Sequence, residues 1–275
     1  MPTAKYQRKL CISHVLFVPS QHKQTKNIFT TRKCELCAYS VEACRTAARL
    51  GVHRVELCAS PAEGGTTPSL AAIEQASAIK GIDVSVMIRP RGGDFLYTDE
   101  EFQIMLRDIE HARRAGATGV VFGILTSDGK VDIERTRQLV EAAQGMETTF
   151  HRAVDMTEDY TQAISDIITT GCTRILTSGG YDKAIDGINE IRKAIATAVR
   201  RIEIMIGSGV TSENALLLAS TGADALHFSA KQSIPSNMEY RNPRISMGGS
   251  SAIDEFALRT VDEEEVKAIL KLIKQ

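Results

Sequence analysis

From about Lys33 onward the sequence predicts a single closed barrel of eight parallel strands alternating with helices, a (β/α)8 or TIM barrel. Three observations predict it. A short β-rich run, a polar loop, an amphipathic helix and a glycine recur eight times between residues 33 and 275, the size and rhythm of such a barrel. The runs are continuous in Val and Ile rather than alternating, as strands covered by helices on both faces require. The segment after the first run, Tyr39-Ser40-Val41, carries no glycine-rich dinucleotide fingerprint. That removes the main support for an open doubly wound sheet and for a nucleotide cofactor.

The expected strands are Cys34–Ala38, Arg54–Cys58, Asp83–Arg89, Gly119–Ile124, Glu147–His151, Arg174–Thr177, Glu203–Ile206 and Ala225–Phe228. Ser40 is placed to cap a first helix with Ala43, Cys44, Ala47 and Ala48 facing inward before Gly51. Thr98 with Glu101 is a capping box, opening a helix whose apolar face is Phe102, Met105, Leu106, Ile109 and Ala112. Ala184, Ile185, Ile188, Ile191 and Ile195 form a later stripe. Asp262 starts a last helix through Val266, Ile269, Leu270 and Ile273.

Residues 1–32 read differently. They hold six Lys or Arg and no acidic residue, so the remaining chain carries −7 of the overall charge of −1. The patch from Leu10 to Val18, behind Lys5, Arg8 and Lys9, admits a targeting peptide. No small-residue cleavage pattern follows it, which favours a disordered or non-native extension. The acidic body argues against a nucleic-acid partner, and no apolar run reaches the roughly eighteen residues a membrane span needs. Six cysteines in a chain of this length read as reduced thiols of a cytoplasmic protein rather than a disulfide scaffold.

In a barrel of this kind the chemistry sits at the C-terminal ends of the strands. Alternation places Glu35 with Cys37, Glu56 with Cys58, and Met87 with Arg89 and Arg91 on shared faces. Pointing inward, the two carboxylates would lie beside the Arg89 and Arg91 guanidinium groups, either as a site or as an ion-pair plug. Cys34 and Cys37 resemble a CxxC pair but face opposite sides of a strand. Cys37 and Cys58, on adjacent strands about 4.8 Å apart, make the better metal pair. With no third ligand evident, two thiolates suit Cu(I) better than structural zinc; two buried hydrophobic thiols are the plainer alternative. Cys44 and Cys172 read as core.

An anion site is the second constellation. Thr177, Ser178 and Gly179 follow strand six, Gly207 and Gly209 follow strand seven, and His227 and Ser229 close strand eight. With Arg89, Arg91 and Arg152, these loops suit a phosphate or carboxylate ligand. His151 is the candidate acid–base group, with Asp155 as its orienter.

Several of these stretches carry a family resemblance. Glu35-Leu36-Cys37-Ala38-Tyr39-Ser40, Arg54-Val55-Glu56-Leu57-Cys58, Glu63-Gly64-Gly65-Thr66-Thr67-Pro68-Ser69 and Arg89-Pro90-Arg91-Gly92-Gly93-Asp94-Phe95 resemble the CutC family of copper homeostasis proteins. So do Phe150-His151-Arg152-Ala153, Leu176-Thr177-Ser178-Gly179 and Tyr240-Arg241-Asn242. The resemblance covers the barrel and leaves out residues 1–32. It implies a cytoplasmic, homodimeric barrel protein that handles copper and binds Cu(I) through cysteine thiolates, the family cysteines falling on Cys37 and Cys58. Val154, Ser208 and Glu239 depart from the family pattern, the last weakening any anion-binding role of its loop. Two functions stay open: a copper-binding protein, or an enzyme acting on a small anionic or phosphorylated substrate, for which copper is not the physiological ligand.

Overall fold

In the computed structural model the chain divides between Thr30 and Thr31. The residues described are Met1, 32–242, 244–245 and 254–273. The Leu10 to Val18 patch and Cys11 lie outside them.

Eight strands close into one parallel barrel: β1 (Lys33–Ala38), β2 (Arg54–Leu57), β3 (Asp83–Met87), β4 (Gly119–Phe122), β5 (Glu147–Phe150), β6 (Arg174–Thr177), β7 (Glu203–Ile206) and β8 (Ala225–Phe228). Between them run α1 (Val41–Leu50), α2 (Leu70–Ser77), α3 (Asp99–Arg114), α4 (Ile133–Ala143), α5 (Tyr160–Thr170), α6 (Ile188–Ala198) and the short α7 (Ala215–Ala219), with α8 (Glu263–Ile273) last. Caps are where the sequence puts them. The Ser40 side chain accepts from the Ala43 amide, Thr98 and Glu101 form the capping box, and Asp262 Oδ1 accepts from Glu264 and Glu265.

Some expected boundaries move. β3 ends at Met87, two residues short, because the chain turns ahead of Pro90, which offers no donor to a ladder. Ala184 and Ile185 precede α6, which begins after Gly187. The long loop expected after β8 contains an antiparallel hairpin, β9 (Lys231–Pro235) and β10 (Ala257–Val261). Every residue of β9 is exposed, so no buried face wrote a periodic signal into its sequence.

The main core lies between barrel and helices. Outward strand residues such as Leu36, Val55, Phe122, Phe150 and Ile175 pack on Met105, Ile109, Leu139, Ile164 and Ile167 from the helices. The barrel's interior is polar at its N-terminal end. Arg174 is 1% exposed, and it donates to Glu203 at 2.9 Å, to Glu147 at 2.7 Å and to Thr149 at 3.0 Å. Arg54 bonds Glu35 and reaches Glu147 at 3.2 Å, while Lys33 meets Glu203 at 3.2 Å. Three cations and three carboxylates thus plug the barrel, each buried charge facing an opposite one. The plug is the ion-pair alternative expected for Glu35, but its cation is Arg54 rather than Arg89 or Arg91.

Arg54→Met leaves the fully buried Glu35 without its guanidinium and should lower stability by about 3–5 kcal/mol. Adding Glu35→Gln should recover much of that loss. Urea unfolding of both variants measures this; a single variant as stable as the parent would contradict the plug's role.

Candidate functional site

Register determines what meets at the other end of the barrel. Glu35 is paired with Arg54 on β2 and with His227 on β8, and Cys37 with Glu56. All point inward, so one short stretch of β1 gathers its partners from both neighbouring strands. Above them opens a cavity of about 600 Å³, lined by Cys37, Tyr39, Glu56, Met87 and His227 on one side and by Arg89, Phe95, His151 and Arg152 on the other.

On the first side, the sulfurs of Cys37 and Cys58 and a Glu56 oxygen lie within 4.8 Å of one another. Cys58 Sγ lies 3.5 Å from Glu56 Oε2 as a hydrogen-bond donor. His227 is held by one ring nitrogen, Nδ1 being 2.8 Å from Glu35 Oε1, while Nε2 lies 3.7 Å from Glu56 Oε2, an ion-pair distance. Gly65 makes room for the second thiol. It sits at φ +105°, and a Cβ there would stand 3.3 Å from Cys58 Sγ.

These contacts divide the charges. The Cys58 hydrogen bond, helped by His227, holds the Cys37 thiol well below the ordinary thiol range. The Cys58 thiol is pushed up by the same hydrogen bond and by burial. Burial opposes ionisation of Glu35, yet the His227 hydrogen bond and the Arg54 charge bring it down to about 2. Glu56, buried and with Oε1 lacking any hydrogen-bond partner, is raised to about 8, chiefly by desolvation. Burial works against a charge on His227, but Glu56, Cys37 and Glu35 outweigh it and raise the imidazole well above its usual value.

The second side differs from the anion site expected. Arg89 is 6% exposed, and its guanidinium donates to the carbonyls of Glu63, Gly65 and Gly93 at 2.6, 2.9 and 2.7 Å. Arg91 turns away from the barrel axis, pairing with Glu101 at 2.6 Å and the Leu96 carbonyl at 2.8 Å. Neither guanidinium lies beside Glu35 or Glu56, because Pro90 ends the strand geometry that would have carried Arg91 inward. Asp155 does not orient His151. Its carboxylate accepts from the amides of Ser178 at 3.0 Å and Gly180 at 3.0 Å, from the Thr177 hydroxyl, and from Arg152 at 2.9 Å. The turn after β6, with Gly179 at its centre, is thus filled by the protein's own anion. Glu265 of α8 does the same after β7, accepting from the Ser212 amide and hydroxyl at 2.7 Å each. Gly207 lies at the end of β7, while Gly209 and Ser229 line the cavity mouth.

His151 is 4% exposed and stands against Phe95, ring centroids 4.9 Å apart. Its Nδ1 accepts from the Ala153 amide at 3.1 Å, and its Nε2 has no partner among the described residues. Burial, aided by the Arg89 charge, depresses it to about 3, so the ring is neutral at physiological pH. Gly123 is required beside it, since a Cβ there would come within 2.6 Å of the ring. Sequence reasoning missed Arg54 and Glu56's place beside both thiols. Arg54 did leave a signal, lying two residues before Glu56 and so on the same inward face. Cys44 and Cys172 are core, 0% and 5% exposed.

Comparison with known proteins agrees with the motifs. The family model described as the CutC family matches residues 32–232. The chain belongs to the CutC family. It is 46% identical over 242 residues to a CutC family protein of Bacteroides thetaiotaomicron, covering 87% of this chain and 97% of that one. It is 42% identical over 241 residues to the copper homeostasis protein cutC homolog of Mus musculus, covering 87% and 89%. The crystal structure of CutC from Streptococcus agalactiae superposes with TM-score 0.69 at 39% identity, over 72% of this chain and 98% of that one. A thiamine phosphate pyrophosphorylase from Pyrococcus furiosus, at 13% identity and TM-score 0.54, shares the barrel alone. Among the described residues no helix is long and apolar enough to cross a membrane.

The contrast among the CutC thiols predicts their order of reaction. Cys37 lines the cavity and its thiol is held well below the ordinary thiol range, whereas burial pushes Cys44 up to about 12 and Cys172 to about 11. Iodoacetamide at neutral pH should modify Cys37 before Cys44, Cys58 or Cys172, as read by peptide mass mapping. Modification of Cys44 or Cys172 first would contradict this charge distribution.

Proposed function

We propose that this CutC family member binds Cu(I) through the thiolates of Cys37 and Cys58. The supporting observation is the cluster beside the cavity, where the sulfurs of Cys37 on β1 and of Cys58, just past β2, and one carboxylate oxygen lie within 4.8 Å. Two metal–sulfur bonds of about 2.3 Å, the zinc–thiolate value, span such a gap. Soft thiolates favour Cu(I) over hard cations. The donor set fits a metal in a second respect. Glu56 Oε1 is buried without a partner, an expensive state for a carboxyl group unless something occupies its neighbourhood.

Copper here is cargo, and the chain's own residues prepare for it. The Cys37 thiol is held well below the ordinary thiol range, and Cys58 stands beside it, 2% exposed. Cytoplasmic residence and a homodimer, implied by the family resemblance, belong to the same proposal. Reduced thiols suit the first, and the exposed Ile234–Leu258 pair on the hairpin offers a surface for the second.

An enzyme on a small anionic substrate is the second reading. Its support is Arg89 Nε and His151 Nε2, buried donors on the cationic side of the cavity with no partner among the described residues. Against it stand Asp155 and Glu265, which already satisfy the turns that a phosphate would use. Small-molecule mass spectrometry of the purified protein separates the two readings.

Cu(I) titration against a competing chelator tests the proposal. Cys37→Ser and Cys58→Ser should each weaken binding by about 100-fold or more, beyond the ten- to hundredfold typical of losing a ligand's supporting partner. Unchanged affinity in both variants would overturn it.

A further inference from the structure

We infer that the cavity also takes a small organic carboxylate, its charged end received by Arg89 and His151 on the side away from the thiols and its body by the cavity's apolar side chains. The inference deepens the second reading above in its ligand alone. It needs neither catalysis nor copper, and it commits to a carboxylate rather than a phosphate.

Volume is the first observation. A cavity of about 600 Å³ at the C-terminal face of the barrel has the size of a site for a small organic molecule. A metal ion held by Cys37 and Cys58 occupies one corner of such a space. The remaining walls mix apolar side chains, among them Phe95, Leu176 and Val210, with a few polar groups, as ligand sites do.

Charge is the second. Arg89 is 6% exposed, and among the described residues its guanidinium meets carbonyl oxygens and no carboxylate. The buried guanidinium groups of Arg54 and Arg174, by contrast, both face glutamates. A buried cation without a counter-charge is costly, and Arg89 lines the cavity. The carbonyls occupy Nη1 and Nη2 and leave Nε, which is buried with no partner among the described residues. His151 supplies a second donor. Its Nδ1 accepts from the Ala153 amide at 3.1 Å, so the proton of the neutral ring sits on Nε2, likewise buried and without a partner there. Both groups stand against Phe95, with Arg89 Cζ 5.1 Å and the His151 ring 4.9 Å from its centroid.

One cation and one neutral donor match a single negative charge. A carboxylate carries that charge on two acceptor oxygens, one for each N–H. A phosphate monoester carries nearly twice the charge and asks for more donors. The turns after β6 and β7 that would supply them are already occupied by Asp155 and Glu265.

Calorimetric titration of the metal-free, full-length protein with acetate, pyruvate, benzoate and inorganic phosphate tests the inference, and its outcome stands whether or not the Cu(I) reading holds. At least one of the three carboxylates should bind saturably and more tightly than phosphate. His151→Phe, which removes one donor and keeps a ring, should weaken that binding about tenfold. Arg89→Met should lose it. Because Arg89 also braces three loop carbonyls, the location is read separately in the wild-type protein. With the histidines labelled with 15N, the Nε2 resonance of His151 should shift as the carboxylate saturates. Three carboxylates that fail to bind, phosphate bound as tightly as the best of them, unchanged affinity in His151→Phe, or an unmoved His151 resonance would each overturn the inference.

Discussion

The carboxylate of Glu35 faces two ways, toward the Arg54 guanidinium at the plugged end of the barrel and toward His227 at the open end. Being wholly buried, it is tolerable only with both partners in place. That constraint ties the ion-pair plug to the donor cluster. It holds the His227 ring through Nδ1. It also leaves Glu56, one strand over, with no guanidinium beside it and only the His227 ring at 3.7 Å. The difference between the two glutamates, one held at about 2 and the other raised to about 8, follows from which of them has the His227 hydrogen bond and the Arg54 charge to set against its burial.

The cavity is consequently lopsided. On the β1 and β2 side two sulfurs and one carboxylate oxygen lie within 4.8 Å of one another. Around β6 and β7 the backbone amides that could cradle an anion are already engaged by Asp155 and Glu265. A turn that has evolved its own carboxylate is a rigid wall rather than a vacant cradle, and both carboxylates brace the loops around the cavity. The cations tell the same story. Arg89 holds three loop carbonyls in position, and Arg91 links its loop to the start of α3. A mouth that reads as strongly cationic in sequence is largely neutralised in three dimensions.

What was legible in the sequence was whatever obeys a period. The eight strands, the capped helices and the outward core all follow from apolar runs and from Ser40, Thr98 and Asp262. The choice of Cys37 with Cys58 over Cys34 with Cys37 followed from strand parity alone, and Cys34 does lie in the outer core while Cys37 packs inside the barrel. Contacts across long separations were not legible. Arg54 meets Glu147, 93 residues away, and Glu35 meets His227, 192 residues away; nothing local in either segment encodes the pairing. The β9–β10 hairpin escaped for the opposite reason, since β9 is exposed along its whole length and nothing imposed a pattern on it.

The central claim is that soft-metal binding belongs to the thiol side of the cavity. A crystal structure of the Cu(I)-loaded protein, with an anomalous difference map collected at the copper edge, tests it most directly. The account predicts one principal peak within bonding distance of both Cys37 Sγ and Cys58 Sγ. A principal peak at the loops after β6 and β7, or none in the cavity of a stoichiometrically loaded crystal, would contradict it.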